Sequence, residues 1–244
     1  MSIASAHESA SLTANRPAER RLSDLVYGRV LEMIIGGQLP PGQPISELQL
    51  TRLLEVSRTP VHEAINRLVK DELVIQQPNR RPVIAAFSAE DVFDVFEVRR
   101  ILEGATAKKA AEKMDTSVLH ELEQLTKAFE SDVQEMPPDS RQWIERWADY
   151  DELFHRLIAK ACGSKRLASD VLRYRLFHRA FNLKHCGTAV LEKAHQEHLN
   201  ILDAIRNRDP VRATDEMQSH ISHFQVYFTE NQLNPACDPD VTNL

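Results

Sequence analysis

Three histidines and one aspartate of this 244-residue chain occupy inward-facing positions of predicted helices. Asp151 and His155 are four residues apart in the segment 141–162, so one helical turn stacks both side chains on the same side. His198 and His220 each interrupt an apolar stripe of helical spacing. Three imidazoles and a carboxylate suit a divalent transition metal, because imidazole favours zinc, nickel, copper and iron.

The last two predicted helices bring His198 and His220 to matching depth. Their connecting turn centres near Arg208 and Asp209, at nearly equal distance from the two histidines. In an antiparallel helix pair, this symmetry places the two side chains opposite each other, and bundle cores are a usual place for metal sites. The alternative is four unrelated buried polar groups, each satisfied by its own hydrogen bonds.

The elements that position these residues are predicted to be helices. The chain has seven glycines, too few for dinucleotide-binding sheets or all-β sandwiches, which depend on glycine turns. Residues 87–231 read as about six helices and form an all-α bundle, with a C-terminal tail at 232–244. The helix boundaries are expected near Met114, Met136, Gly163, Cys186 and Asp209. His195 and His223 flank the apolar stripes and are predicted to lie at the surface or just outside the metal site.

Residues 22–86 carry a different pattern. A helix ends at Gly36-Gly37, and two short helices begin near Ser46 and Ser57. Two β-prone runs then form a hairpin, the wing. Two short helices joined by a tight turn are typical of a helix-turn-helix, whose second helix enters the major groove of DNA.

The basic residues of this segment are placed to contact DNA. Arg58, at the start of the second helix, can reach a guanine edge, while Arg80 and Arg81 at the hairpin tip can touch backbone or minor groove. The alternative is a small helical subdomain with ordinary solvated arginines.

Composition bounds the remaining choices. The net charge is -6, but the first 86 residues carry 10 basic and 9 acidic side chains, and the rest carry 20 and 27. A DNA-binding segment within the almost neutral first 86 residues is therefore compatible with the net negative charge of the whole chain. Three cysteines without close pairing suit a reducing, cytoplasmic compartment, and no apolar run is long enough to span a membrane. Residues 1–21 are predicted to be a disordered tail.

The run Ile34-Ile-Gly-Gly-Gln-Leu-Pro-Pro-Gly42, followed by Val56-Ser-Arg-Thr-Pro-Val-His-Glu-Ala64, resembles the winged-helix domain of GntR-type transcriptional regulators. This resemblance implies that the chain binds operator double-stranded DNA as a homodimer. It also implies that Arg58 reads a base while Ser57 and Thr59 hold phosphates.

Two residues of the predicted DNA-binding set depart from the family pattern. His62 stands where arginine is usual, and Arg81 where glycine is usual near the wing tip. Neutral histidine cannot make the two-pronged arginine contact to guanine, so a different operator preference is expected. An extra wing arginine should steepen the salt dependence of binding.

A second resemblance covers the bundle. The segments Arg99-Arg-Ile-Leu-Glu103, Asp151-Glu-Leu-Phe-His155, Glu197-His198 and Met217-Gln-Ser-His-Ile221 are similar to the FCD effector domain of the FadR-type branch. The resemblance implies a divalent metal on Asp151, His155, His198 and His220, with zinc as the first choice and nickel, iron or manganese as alternatives. It further implies that Arg99 clamps a small carboxylate. The alternative for Arg99 is a salt bridge with Glu103, one turn later on the helix.

The sequence thus predicts a mainly α protein, with an N-terminal winged helix-turn-helix and a C-terminal all-α bundle. Its expected function is that of a ligand-responsive transcriptional regulator, a repressor whose effector is a small carboxylate metabolite. Two alternatives are a purely structural metal and a metalloenzyme. The chain lacks the HExxH pattern of metalloproteases and shows no positioned base or nucleophile, which disfavours the enzyme.

Overall fold

A computed structural model describes residues 16–35, 37–86, 89–137, 140–182 and 187–231. The chain divides between Ala86 and Phe87 into two compact units. The first unit holds helices and one hairpin, and the described part of the second is helical. The predicted fold class, a winged helix-turn-helix followed by an all-α bundle, is confirmed. Within the described ranges, no helix combines the length and apolarity that crossing a membrane requires.

The first unit packs three helices against a two-stranded antiparallel hairpin. Its elements are α1 (Arg16–Ile35), α2 (Glu47–Leu53), α3 (Arg58–Lys70), β1 (Val74–Ile75) and β2 (Val83–Ile84). In the hairpin, Val74 lies opposite Ile84. One face of α3 is buried, and this fixes which residues of α3 remain exposed; the buried side chains are Pro60, Val61, Ala64, Ile65 and Leu68.

The predicted tail at 1–21 is wrong for its last six residues, because α1 begins at Arg16. Pro17 is the second residue of the helix, where its missing N–H has no partner to lose, and the Ala-Glu-Arg-Arg run that follows favours helix. This run lacks the apolar periodicity from which the other helices are predicted. Residues 1–15 and the predicted tail at 232–244 lie outside the described residues.

The second unit is built from helices at the predicted places. They are α4 (Ala89–Lys113), α5 (Thr116–Val133), α6 (Arg141–Ala161), α7 (Lys165–Asn182), α8 (Thr188–Arg206) and α9 (Pro210–Asn231). The Ser140 hydroxyl accepts a hydrogen bond from the amide of Trp143 and so caps α6. The Arg208 guanidinium donates to the carbonyls of Ala111 and Met114, which ties the α8–α9 turn to the end of α4.

The core of this unit lies where α4 packs along α9 and against α6 and α7, and where α8 packs on α9. Its largest side chains are aromatic and come mainly from α6: Phe129, Trp143, Trp147, Tyr150 and Phe154. Asp151, His155, His198 and His220 are buried in the same region. The apolar stripes predicted for α6, α8 and α9 therefore do face the core.

Two glycines of the first unit should respond oppositely to alanine. Gly42 has φ +79°, so Gly42→Ala should destabilise the unit by about 1–2 kcal/mol. Gly28 lies inside α1 with open space around its Cα, so Gly28→Ala should stabilise the unit by up to about 1 kcal/mol. Amide hydrogen exchange in α3 measures both changes. Equal protection in the two variants would contradict the backbone argument.

Candidate metal centre and nucleic-acid interface

Four donor atoms from three helices converge in the core of the second unit. Asp151 and His155 come from α6, His198 from α8 and His220 from α9, and their ligand atoms all lie within 4.8 Å of one another. The Nε2 atom of His198 is 3.2 Å from that of His155 and 3.3 Å from that of His220. The Oδ1 atom of Asp151 is 3.5 Å from the Nε2 atoms of His155 and His198. The structure thus brings together the four residues that the sequence singled out.

Two carboxylates set the orientation of the outer imidazoles. Oε2 of Glu103 lies 2.5 Å from Nδ1 of His155, and Oε2 of Glu197 lies 2.9 Å from Nδ1 of His220. A carboxylate only accepts hydrogen bonds, so Nδ1 of His220 donates its proton to Glu197, and the close approach of Glu103 favours a proton on Nδ1 of His155 as well. Each neutral ring is then left with a lone pair on Nε2, directed at the centre of the cluster.

The donor set fits a divalent transition metal. Nε2 of His198 faces the lone pairs of His155 and His220 as well as Oδ1 of Asp151, and one N–H cannot satisfy three acceptors. A cation among the four atoms would satisfy all of them. Histidine ligands with outward hydrogen bonds to carboxylates are the usual arrangement around protein-bound zinc.

Arg175 of α7 holds the aspartate from behind. Its Nη2 atom donates to Oδ2 of Asp151 at 2.6 Å and to the Asp151 carbonyl at 3.2 Å, while Nη1 lies 3.5 Å from Oε2 of Glu103. Arg175 and Glu103 are each 1% exposed in the side chain. This pairing neutralises the buried carboxylate and turns its other oxygen, Oδ1, toward the histidines.

Arg99 of α4 makes the salt bridge that was the alternative for it. Its Nε atom donates to Oε1 of Glu103 at 2.8 Å, and both side chains are 1% exposed. The bridge uses only one edge of the guanidinium. Among the described residues, nothing accepts a hydrogen bond from the buried Nη1. The Nη1 group of Arg99 is therefore able to donate a hydrogen bond to a bound acceptor.

Burial and neighbouring charges shift the pKa values of His155, His198 and Glu103. Burial, together with the positive charge of Arg175, lowers the pKa of His155 to about 4. Burial and the adjacent imidazoles hold the pKa of His198 well below its usual range. Burial alone would raise the pKa of Glu103, but Arg99, His155 and Arg175 outweigh it and hold that pKa well below its usual range. At neutral pH His155 and His198 are therefore neutral and Glu103 is charged.

Aromatic rings fix the position of His198. The Phe154 ring stacks on the imidazole with centroids 4.1 Å apart, and the Trp147 ring stacks at 5.3 Å. These contacts restrict rotation of His198 and exclude water from its faces. They also place one of the two tryptophans of the chain against a candidate ligand, so intrinsic fluorescence reports on the site.

Sequence reasoning missed Arg175 and the outward roles of Glu103 and Glu197. In the sequence, Glu197 stands beside His198 within the family motif, and Glu103 is predicted only as a partner for Arg99. Oε1 of Glu197 also lies 2.6 Å from Nδ1 of the half-exposed His223, which places His223 just outside the metal centre. A carboxylate one residue before a core histidine indicates a side chain that could orient a metal-binding histidine.

The predicted DNA-binding residues of the first unit are solvent-exposed. Ser57, Arg58, Thr59 and His62 lie on the first turns of α3 and just before it. The Ser57 hydroxyl makes no capping hydrogen bond with the helix, so it remains able to bind a phosphate. Nδ1 of His62 lies 2.9 Å from Oε1 of Glu47, at the start of α2.

The wing places Arg80 and Arg81 in the exposed loop between β1 and β2. The Gln76 amide donates to the carbonyls of Gln77 and Arg80, which closes this loop. Asn79 has φ +58°, the left-handed conformation that asparagine tolerates better than most residues. The two arginines thus sit on a separate element from the α3 residues, as a wing requires.

Removing the carboxylate behind His220 should weaken metal binding. Glu197→Gln is expected to lower zinc affinity about 10–100-fold, because an amide is a weaker acceptor for Nδ1–H and no longer fixes the ring tautomer. Zinc titration of chelator-treated protein, followed by tryptophan fluorescence, measures the change. Glu192→Gln on the exposed side of α8 is the matched control and should leave the affinity unchanged. Equal affinity in the two variants would argue against the role given to Glu197.

Comparisons with known proteins agree with this architecture. The FCD domain family matches residues 94–223, and the family of bacterial regulatory proteins called gntR matches residues 22–84. The two matches lie on opposite sides of the boundary between the compact units, one in each unit. Together they include all the candidate ligands and every residue of the predicted DNA-binding set.

Individual relatives point the same way. An uncharacterised HTH-type transcriptional regulator of Agrobacterium vitis is 36% identical over 140 residues, which are 57% of this chain and 79% of that protein. The HTH-type transcriptional repressor GlaR of Escherichia coli is 25% identical over 199 residues, 77% of this chain and 87% of the repressor. The solved structure of E. coli McbR/YncC shares the fold, with a TM-score of 0.71, 20% identity and coverage of 86% and 97%. The chain belongs to the gntR family of bacterial regulatory proteins and is a DNA-binding transcriptional regulator, not an enzyme, with a C-terminal FCD domain.

Proposed function

We propose that the bundle of this regulator binds a divalent transition metal and a small carboxylate metabolite, and that the metabolite controls operator binding. The observation that carries this proposal is the convergence of the four donors, Asp151, His155, His198 and His220. When bound, the metal would supply positive charge and coordination positions for a carboxylate oxygen.

The charges around the donors favour a divalent ion. The charged side chains that contact the donors or one another are two arginines and four carboxylates: Arg99, Arg175, Glu103, Asp151, Glu152 and Glu197. Among the described residues, this set has two more negative than positive side chains. A divalent cation balances them, and zinc is the first choice because a ligand set of three imidazoles and one carboxylate suits it. Nickel, iron and manganese are the alternatives.

The buried donor of Arg99 supports an anionic effector. A guanidinium N–H that is buried without a partner is costly, and a bound carboxylate would satisfy it. Glu103 holds Nε of Arg99 and Nδ1 of His155 at once, so the arginine is fixed beside the metal centre. A carboxylate bridging metal and arginine would use both positive groups.

The regulatory effect requires different affinities in two states. A carboxylate changes operator binding only if it binds the DNA-competent and DNA-incompetent states of the protein unequally. We propose that the protein acts as a repressor, as relatives such as GlaR are named.

We further propose that the protein binds its operator as a homodimer. A helix-turn-helix reads few bases, so two copies on a two-fold symmetric operator give the needed specificity. Light scattering of the protein bound to its operator measures this directly: two chains per duplex are expected, and one chain would contradict the dimer.

The effector hypothesis predicts a selective effect of Arg99→Lys. Lysine retains a positive charge for Glu103 but loses the forked donor, so the concentration of carboxylate needed to change operator binding should rise roughly tenfold or more. The measurement is fluorescence anisotropy of zinc-loaded protein on an operator selected from random DNA, with acetate, lactate, succinate and citrate added in turn. Arg100→Lys, the same substitution at the next residue, is the control and should behave like the wild type.

The outcomes distinguish the hypothesis of a carboxylate effector from that of a purely structural metal. If metal removal lowers thermal stability but no carboxylate alters operator affinity, the metal only joins α6, α8 and α9. If a carboxylate acts equally on wild type and Arg99→Lys, the anion site lies elsewhere. Loss of the effect in both Arg99→Lys and the metal-free wild type supports the proposal.

A further inference from the structure

His62 occupies the centre of the exposed face of α3. Arg58 and Asn66 lie one turn before and one turn after it, and all three are exposed, while the opposite face of the helix is buried. In a helix-turn-helix, the exposed face at the start of the second helix meets the base edges in the major groove. His62 is therefore placed to read a base.

Glu47 determines which ring nitrogen of His62 carries the proton. Its Oε1 lies 2.9 Å from Nδ1 of His62, and a carboxylate accepts hydrogen bonds but donates none. Nδ1 must then be the donor. Glu47 is the first residue of α2, where the helix dipole stabilises its negative charge, and the Ser46 hydroxyl caps this helix through the Gln49 amide.

The consequence lies at the other nitrogen. A neutral imidazole with its proton on Nδ1 presents only a lone pair at Nε2. In the major groove, an acceptor finds a partner on adenine, at the N6 amino group, or on cytosine, at the N4 amino group. Guanine presents two acceptors there, and thymine presents an acceptor and a methyl group. DNA phosphates are also acceptors and would not bind this face of the ring.

We infer that the Glu47–His62 pair makes His62 a reader of an exocyclic amino group, on adenine or cytosine, at one operator position. An arginine at this position would offer only donors and would favour guanine. The pair also explains how a carboxylate is accommodated near DNA: its charge is partly neutralised by the N–H of His62.

The test is selection of operators from random double-stranded DNA by the full-length protein at pH 8. The position read by His62 is identified first, as the one whose base preference disappears in His62→Ala. At that position the wild type should bind adenine or cytosine at least about fivefold more tightly than guanine, since one good base contact gives roughly this discrimination or more.

Two variants probe the mechanism at the same position. Glu47→Gln can accept from or donate to Nδ1, so both tautomers become available and the preference should fall to about twofold or less. His62→Arg should reverse the preference toward guanine. Glu63→Gln, the control, removes the same charge from the exposed face of α3 but keeps the Glu47–His62 hydrogen bond. It should raise the affinity for all sequences alike and leave the preference intact.

An atomic substitution completes the test. If adenine is selected, replacing it by purine, which lacks the N6 amino group, should remove the advantage over guanine for the wild type and should leave the affinity of His62→Ala unchanged. Three results would overturn the inference: a wild-type preference for guanine or thymine, a base preference that survives in Glu47→Gln, or an equal loss of affinity for all sequences in His62→Ala. The last would mean that His62 contacts a phosphate.

Discussion

The architecture of the second unit depends on one constraint: four hydrogen-bond acceptors face one another in its core with too few protons to satisfy them. Three Nε2 atoms and Oδ1 of Asp151 lie within a few ångströms of one another in a region lined by aromatic rings. Buried polar groups without partners are expensive. A cation bound among them, as proposed above, would remove this cost, and α6, α8 and α9 must keep their relative depth for the donors to meet.

The surrounding charges follow from the same constraint. Glu103 and Glu197 pull protons outward on two of the rings, and Arg175 neutralises the back of Asp151 so that its other oxygen faces inward. Glu103 also contacts Arg99, so a single carboxylate joins the cluster of four donors to the arginine proposed to bind an anion. If the proposed anion binds Arg99, it contacts a side chain that shares Glu103 with His155, and this shared contact would couple the anion to the proposed metal.

The sequence predicted the helices, the winged helix-turn-helix and the four converging donors, because these depend on local periodicity and on distance from a turn. It could not predict Arg175: α7 contains several arginines, and only the packing of α7 against α4 and α6 shows that Arg175 turns inward. Glu103 was visible as a partner for Arg99, but its second contact, with His155, exists only when α4 meets α6. The start of α1 at Arg16 was missed because charged helix formers carry no apolar pattern. The Glu47–His62 pair joins residues on two helices, 15 positions apart, and depended likewise on tertiary packing.

If Asp151, His155, His198 and His220 together bind one metal ion, the metal content of the protein must depend on them. After equilibrium dialysis against buffered zinc, wild type and Cys162→Ser should each retain one zinc per chain, since Cys162 contacts Ser164 and lies outside the donor set. His198→Ala should retain almost none while circular dichroism shows that its helices remain. Absence of zinc from the wild type, or equal zinc in His198→Ala, would mean that these four residues do not form a zinc site.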